Sequence, residues 1–259
     1  MKLSRTIGKT SIILCALVLM GSARADELKV LTTGILKGAF TTIAAQFEKD
    51  TGHKVTMSWG PSSGNSAEAS PQRVRSGEHV DVLIMVNTGM DDLVRTGHFV
   101  PLERKDVAVS KIGVAVKEGR PLPDISTVSA VRQSLLNAKS IGYSEGASGT
   151  YVSTVMLKKL GIADQVAGKS HVILGRKFVG EVVASGEVEL GIQQLSELRL
   201  EPGITVVGPL PDELQKVSVV SAAVSSKAKS VEAAKQFVAF LSTPSAAKAI
   251  KESGLDIPN

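Results

Sequence analysis

Three short polar loops carry most of the chemistry that this sequence offers. Thr32-Thr33-Gly34, Pro61-Ser62-Ser63-Gly64-Asn65-Ser66 and Ser144-Glu145-Gly146-Ala147-Ser148-Gly149-Thr150-Tyr151 each combine hydroxyl side chains with glycine. Each follows a predicted strand and precedes a predicted helix, so its hydroxyls should stand beside the free N–H groups of a helix start. That pairing holds an anion without any formal positive charge. Taken singly, each loop also reads as an N-cap with turn glycines. Their recurrence on two parts of the chain favours a ligand role, with Thr32, Thr33, Ser62, Ser63, Ser148, Gly149 and Thr150 as candidate ligand-binding residues. Gln193, at the polar end of Gly191-Ile192-Gln193-Gln194, adds an amide that can meet a carboxylate or a hydroxyl. A solvated strand end is the plainer reading of that pair. On a strand Gln193 and Gln194 point to opposite sides, so at most one should face a cleft. Arg176 is the cation most readily placed nearby. Glu145 is the candidate catalytic base if the site moves a proton, and otherwise a first-turn acid favoured by the helix dipole.

Other chemistries find little support. The chain has no G-x-S-x-G, H-E-x-x-H, Walker A or strand-placed G-x-G-x-x-G pattern. Its four histidines, His53, His79, His98 and His171, are scattered, and His53 and His98 fall in turn-like TGHK and TGHF segments that suit surface or capping roles. No metal and no cofactor is expected. With one cysteine in 259 residues, a disulfide scaffold and Cys-rich metal modules are excluded. Aromatic residues make up 3% of the chain, which argues against a stacking platform for nucleic acid.

These loops need elements to hold them apart and aim them. Residues 27–33 read as a strand, 36–50 as an amphipathic helix with Leu36, Phe40, Ile43, Ala44 and Phe47 on one face, and 54–59 as a second strand. A helix ending at 76 leads to the apolar run 80–86, whose unbroken pattern suits a parallel strand covered on both faces. A helix over 89–96 follows. After Leu102 come a long extended run over 107–116, a helix over 127–137, a strand over 140–143 and a helix over 150–160. Short strands over 172–174 and 189–193 flank a helical turn at 180–185. A Pro/Gly connection over 201–211 precedes an extended segment over 216–224, and helices over 230–241 and 245–252 close the chain. Alternation of strands and helices predicts parallel α/β sheets. Two α/β units are expected, one inserted into the other: residues 26–107 with 218–259, and residues 108–217. A single three-layer sheet is the alternative. Two lobes joined by two strands can hinge around a ligand.

The N-terminus reads as an export signal. Lys2, Arg5 and Lys9 precede an apolar stretch over residues 11–21, and Ala23-Arg24-Ala25 completes a secretory leader, residues 1–25. The stretch is shorter than the roughly 20 residues that span a bilayer, so no stable membrane insertion is expected. Cleavage after Ala25 would remove four cations and no acid, turning the net charge of +5 into near neutrality. It would also remove Cys15. The Ile12-Ile13-Leu14 before that cysteine lack the small residue of a lipidation site. A periplasmic protein is expected.

Longer stretches resemble a known family over nearly the whole mature length. The opening strand with TTG, PSSGNS before SGEHVDVLIMV, YSEGASGTYVSTVMLKKLGIADQV, VGEVVASGEVELGIQQ and the terminal FVAFLSTPSAAKAIKESGL are similar to type 2 periplasmic solute-binding proteins of the molybdate-binding family. The resemblance implies an α/β, two-lobed periplasmic-binding-protein fold, one lobe inserted in the other, with a small anion in the cleft between them. It implies that Thr32 or Thr33, Ser62 or Ser63 and residues 147–150 hold that anion, and that an ABC permease is a partner. The chain departs from the family where molybdate binders have Ala-Ala-Ser in the first loop, and where they place a tyrosine-containing turn at Gln193-Gln194. GASGTY with LGIQQLSEL resembles a branch that includes a periplasmic aconitate isomerase, which moves a proton within a tricarboxylate. The resemblance thus implies capture of an oxyanion or organic carboxylate for import, with isomerisation of aconitate as the alternative.

Overall fold

The computed structural model describes residues 25–258. The expected leader therefore lies, apart from Ala25, outside the described residues. The chain opens with β1 (Glu27–Thr32), α1 (Lys37–Thr51), β2 (Lys54–Trp59), α2 (Ser70–Arg75), β3 (Val82–Val86) and α3 (Asn87–Arg95). Then come β4 (Phe99–Ser110), β5 (Ile112–Lys117), α4 (Val128–Asn137), β6 (Ile141–Ser144) and α5 (Ala147–Tyr151). A π-turn over Val152–Met156 joins α5 to α6 (Leu157–Lys159). After α7 (Ala163–Val166) the chain forms β7 (Ser170–Ile173), α8 (Val179–Ser185), β8 (Leu190–Gln194), α9 (Leu195–Leu198) and β9 (Ile204–Pro209). It ends with β10 (Ser218–Ser225), α10 (Val231–Phe240) and α11 (Pro244–Glu252).

Among the described residues ten strands make two five-stranded sheets of matching plan, β2-β1-β3-β10-β4 and β7-β6-β8-β5-β9. Each builds one lobe of a two-lobed α/β molecule. In each, three neighbouring strands pair parallel, and one reversed strand, β10 or β5, pairs antiparallel with the strand on either side of it. The all-parallel expectation is corrected here. Strands β5 and β10 enter their sheets directly from the other lobe and have no crossover helix to reverse them, so they pair antiparallel.

Two further expectations change. The extended run over 107–116 is two strands in different sheets, broken at Lys111. The Pro/Gly connection over 201–211 contains β9, an edge strand of half-buried residues that tolerates Pro209 at its end. The two passages between lobes lie side by side. Ser110 pairs with Ser218, and the Gln215 side chain accepts the Ile112 N–H at 2.7 Å and donates to its carbonyl at 2.9 Å.

Local sequence explains where the helices stop and what they bury. Phe40, Ile43 and Phe47 line one face of α1 and are fully buried. Gly52 ends the helix with φ +77, a left-handed conformation that glycine adopts without steric cost. Thr127 caps α4 and Thr243 caps α11 through side-chain oxygens. In the first lobe Phe237 meets Phe47 edge-on at 5.0 Å and Phe40 at 6.0 Å. His53, expected at the surface, is instead 8% exposed, stacked on Phe47 and bonded through Nδ1 to the Asp26 N–H. Pairing β1 with β2 draws the turn between α1 and β2 against that ring.

Phe237→Ala would leave an unfilled hole between α10 and α1. It should lower stability by about 3–5 kcal/mol, read as an earlier denaturant midpoint with the slope unchanged.

Candidate functional site in the interlobe cleft

Strands β1 and β2 of one sheet and β6, β7 and β8 of the other deliver their C-terminal ends to one cavity, the position at which open α/β sheets present loops to ligands. The first lobe contributes Thr33, Gly34 and Ile35 after β1, and Trp59, Pro61 and Ser62 at the end of β2. Facing them are Ser144, Gly146, Ala147 and Ser148 around the start of α5, Gly175, Lys177 and Phe178 after β7, and Gln193, Gln194 and Glu197 around the end of β8.

Donors dominate the walls. Neither the turn that opens at Gly34 nor α5 has a side-chain cap, so their first N–H groups remain for solvent or a ligand. Ser62 Oγ accepts the Val86 N–H at 3.3 Å, which leaves its own hydrogen free to donate. Ser148 Oγ lies 3.5 Å from Ser144 Oγ. Gln194 donates to Ser218 Oγ at 3.1 Å, while its buried Oε1 has no partner. Exchanging the two amide atoms would let Ser218 donate to the oxygen and free the NH2 for an anion.

Glu197 is the exception among these donors. It is 8% exposed, and burial pushes its carboxyl up to about 8, against the opposing pull of the Gln193 side chain and the Gln194 backbone N–H. At neutral pH this acid is mostly protonated. The first lobe seals it in. A Cβ on Gly34 would run into Glu197 Oε1 and come within 2.7 Å of the Phe178 ring. Gly34 thus ends the first loop without a side chain because the other lobe's carboxyl occupies that space.

An aromatic wall closes one side. Trp59 and Phe178 meet across the lobes at 4.8 Å, with Lys37 Nζ 4.6 Å from one ring centroid and 4.8 Å from the other. Lys177 borders the cavity, but its ammonium is paired with Glu187 at 3.2 Å. Free space within the closed cavity is about 30 Å³, enough for about two water molecules.

The residues singled out from sequence divide clearly. Thr33, Ser62, Ser148 and Gln193 border the cavity, and so does Gln194. The expectation that only one of the two glutamines faces the cleft is corrected. Gln194 sits where β8 passes directly into α9, with φ −59 and ψ 136, and strand alternation ends there. Thr32 is fully buried in β1 with its Oγ1 unpaired. Gly149 packs against the Ser144 backbone. Ser63 and Thr150 face each other across the lobes at 3.4 Å, outside the cavity lining. Glu145 also lies outside it, with its carboxylate bonded to the backbone of Ser66 and Gly175. Arg176 is at the surface, 3.6 Å from Glu68. Glu197, Trp59 and Phe178 were missed. An acid inside the apolar stretch Leu195–Leu198, directly after a buried strand, was the available signal for Glu197.

Among the described residues no group of three or more His, Cys, Asp or Glu side chains is placed to hold a metal ion. No helix of the described residues is long and apolar enough to cross a membrane.

Comparison with known proteins bears directly on this cleft. The family model for bacterial extracellular solute-binding proteins matches residues 28–256. The chain is 38% identical over 250 residues to an aconitate isomerase from a Pseudomonas species, covering 96% of this chain and 95% of that protein. It is 29% identical over 265 residues to the molybdate-binding protein ModA of Azotobacter vinelandii, covering 97% and 98%. The solved periplasmic molybdate-binding protein of that organism superimposes with a TM-score of 0.71 at 23% identity, over 90% of this chain and all of the other.

Glu197 also sets a pH signature for stability. Its pKa is raised on folding, so the folded state holds the proton more tightly and stability declines as pH climbs from the unfolded value, about 4.3, toward about 8. Glu197→Gln removes that decline. The variant should gain on the parent by up to about 4 kcal/mol between pH 5 and 8, read from denaturant melts at each pH.

Proposed function

Because this chain belongs to the bacterial extracellular solute-binding proteins, we propose that its cleft captures an aconitate-like tricarboxylate in the periplasm and moves a proton within it, interconverting the trans and cis isomers. Glu197 carries the reading. A site that only binds anions needs donors, and an ionisable acid beside the anion weakens it whenever that acid is charged. An acid tuned to about 8 is instead suited to exchanging a proton near neutral pH. The 38% identity to an aconitate isomerase adds support.

The chemistry needs one group acting twice. Ionised Glu197 takes a proton from the methylene carbon next to the double bond. The electron pair spreads over the allyl unit into a carboxylate, where the helix-start N–H groups and the hydroxyls of Thr33, Ser62 and Ser148 stabilise the added charge. Protonated Glu197 then returns the proton to the other end of the allyl unit, and the composition of the substrate is unchanged. Gln193 holds the glutamate in place through its amide while its Oε1 accepts the Val179 N–H at 2.9 Å. In this reading the base is Glu197 rather than Glu145.

Delivery of a small anion to an ABC permease is the second reading, favoured by the donor-rich walls and by the fold. It predicts affinity without turnover.

Purified mature protein incubated with trans-aconitate should form the cis isomer well beyond its own molar amount, followed by chromatography. kcat/KM should rise about tenfold per pH unit toward about 8 and then level, as the base form of Glu197 becomes populated. Glu197→Gln should lower kcat by about 10²- to 10⁴-fold, and Glu145→Gln, which touches the cleft only through the backbone of its walls, should cost far less. Binding without conversion selects the import reading, and loss of kcat in Glu145→Gln alone returns the base to Glu145.

A further inference from the structure

Two carboxylates bridge the lobes outside the cavity, and they do so reciprocally. Glu68, from the lobe built on β1, accepts the Arg176 N–H at 2.9 Å, and its other oxygen stands 3.6 Å from Arg176 Nε. Glu145, from the lobe built on β6, accepts the Ser66 N–H at 3.2 Å, while its second oxygen takes the Gly175 N–H of its own lobe at 2.8 Å. Each carboxylate seats on a glycine of the opposite lobe. A Cβ on Gly175 would run into Glu68, and one on Gly64 would run into Glu145. Both glycines have positive φ, +66 and +108, so each turn presents bare backbone to the incoming acid. Ser63 Oγ adds contacts to Thr150 Oγ1 at 3.4 Å and to the Glu145 carbonyl at 3.5 Å.

We propose that Glu68 and Glu145 form a clasp that fixes the width of the closed cleft and so sets the size of anion the site accepts. The two cross-lobe hydrogen bonds, of 2.9 and 3.2 Å, have little slack, and parting the lobes by about 1 Å breaks them. With the clasp made, free space in the cavity is about 30 Å³. A compact tetrahedral oxyanion parts the walls less than a tricarboxylate, which has to hold them further apart and stretch the clasp. The clasp therefore works against large ligands and with small ones. Both acids are positioning residues: they touch the walls' backbone and not the ligand. The inference needs only that the cleft is the binding site, and it stands apart from whether Glu197 turns a substrate over.

Trp59, the one tryptophan in the sequence, stacks on Phe178 across the cleft and reports lobe separation by its fluorescence. In Glu68→Ala/Glu145→Ala, without added ligand, Trp59 emission should shift to the red as the indole leaves Phe178 for water. The ratio of Kd values for sulfate and trans-aconitate should move at least tenfold in favour of trans-aconitate. Unchanged emission, or an unchanged ratio when either anion binds, overturns the proposal. The emission arm uses no ligand, so failure of the tricarboxylate reading leaves it intact. Glu68 is half exposed, and Glu68→Ala alone carries the same expectation at smaller amplitude should the double variant not fold.

Discussion

Glu197 can stay buried only because three neighbours accommodate it. Gly34 leaves it room, while the Gln193 side chain and the Gln194 backbone N–H face its carboxyl. Burial costs the charged form more than those two donors return, so the acid holds its proton to about pH 8. The seal comes from the opposite lobe. Whenever the lobes part, water reaches the carboxyl, its proton is held less tightly, and the penalty of ionising it falls. Closure and proton affinity are therefore linked, which allows one side chain to serve as acid and as base within a single encounter.

The architecture makes that linkage workable. Two sheets of the same strand order point their parallel strand ends at each other, so helix starts from both lobes surround the cavity. Side chains with formal charge are nearly excluded from it. Lys177 is paired at the surface and Lys37 lies against the aromatic rings. Attraction for an anion then comes from hydroxyls and N–H dipoles, which add no net positive charge to promote the ionisation of Glu197. Arg176 in the cavity would have lowered the pKa of Glu197 and weakened it as a base.

Much of the fold was legible because the strongest signals are periodic. The apolar run ending at Val86 and the helix carrying Phe40, Ile43 and Phe47 announce themselves. The edge strand β9 does not, since its half-buried residues alternate weakly and sit among prolines and glycines. Strand direction was misread for β5 and β10 because direction depends on where the chain arrives from, which no local pattern records. In the site, the loops of Thr33, Ser62 and Ser148 were visible from hydroxyls next to glycine at strand ends. Glu145 and Arg176 share the same local chemistry but face the other lobe's backbone and solvent, a difference that only the docking of the lobes decides. Glu197 lay hidden for the same reason: the seal over its carboxyl comes from Gly34, more than 150 positions away.

Inside the closed cleft the Glu197 carboxyl is mostly neutral at pH 7. Infrared difference spectra of the parent protein against Glu197→Gln, recorded from pH 5 to 10, follow the protonated-carboxyl stretch of this one side chain. With the carboxyl neutral at pH 7, a band should persist through neutral pH and disappear with a midpoint near 8. A band already lost at pH 6, with a midpoint near the ordinary glutamate value of about 4.3, would contradict it.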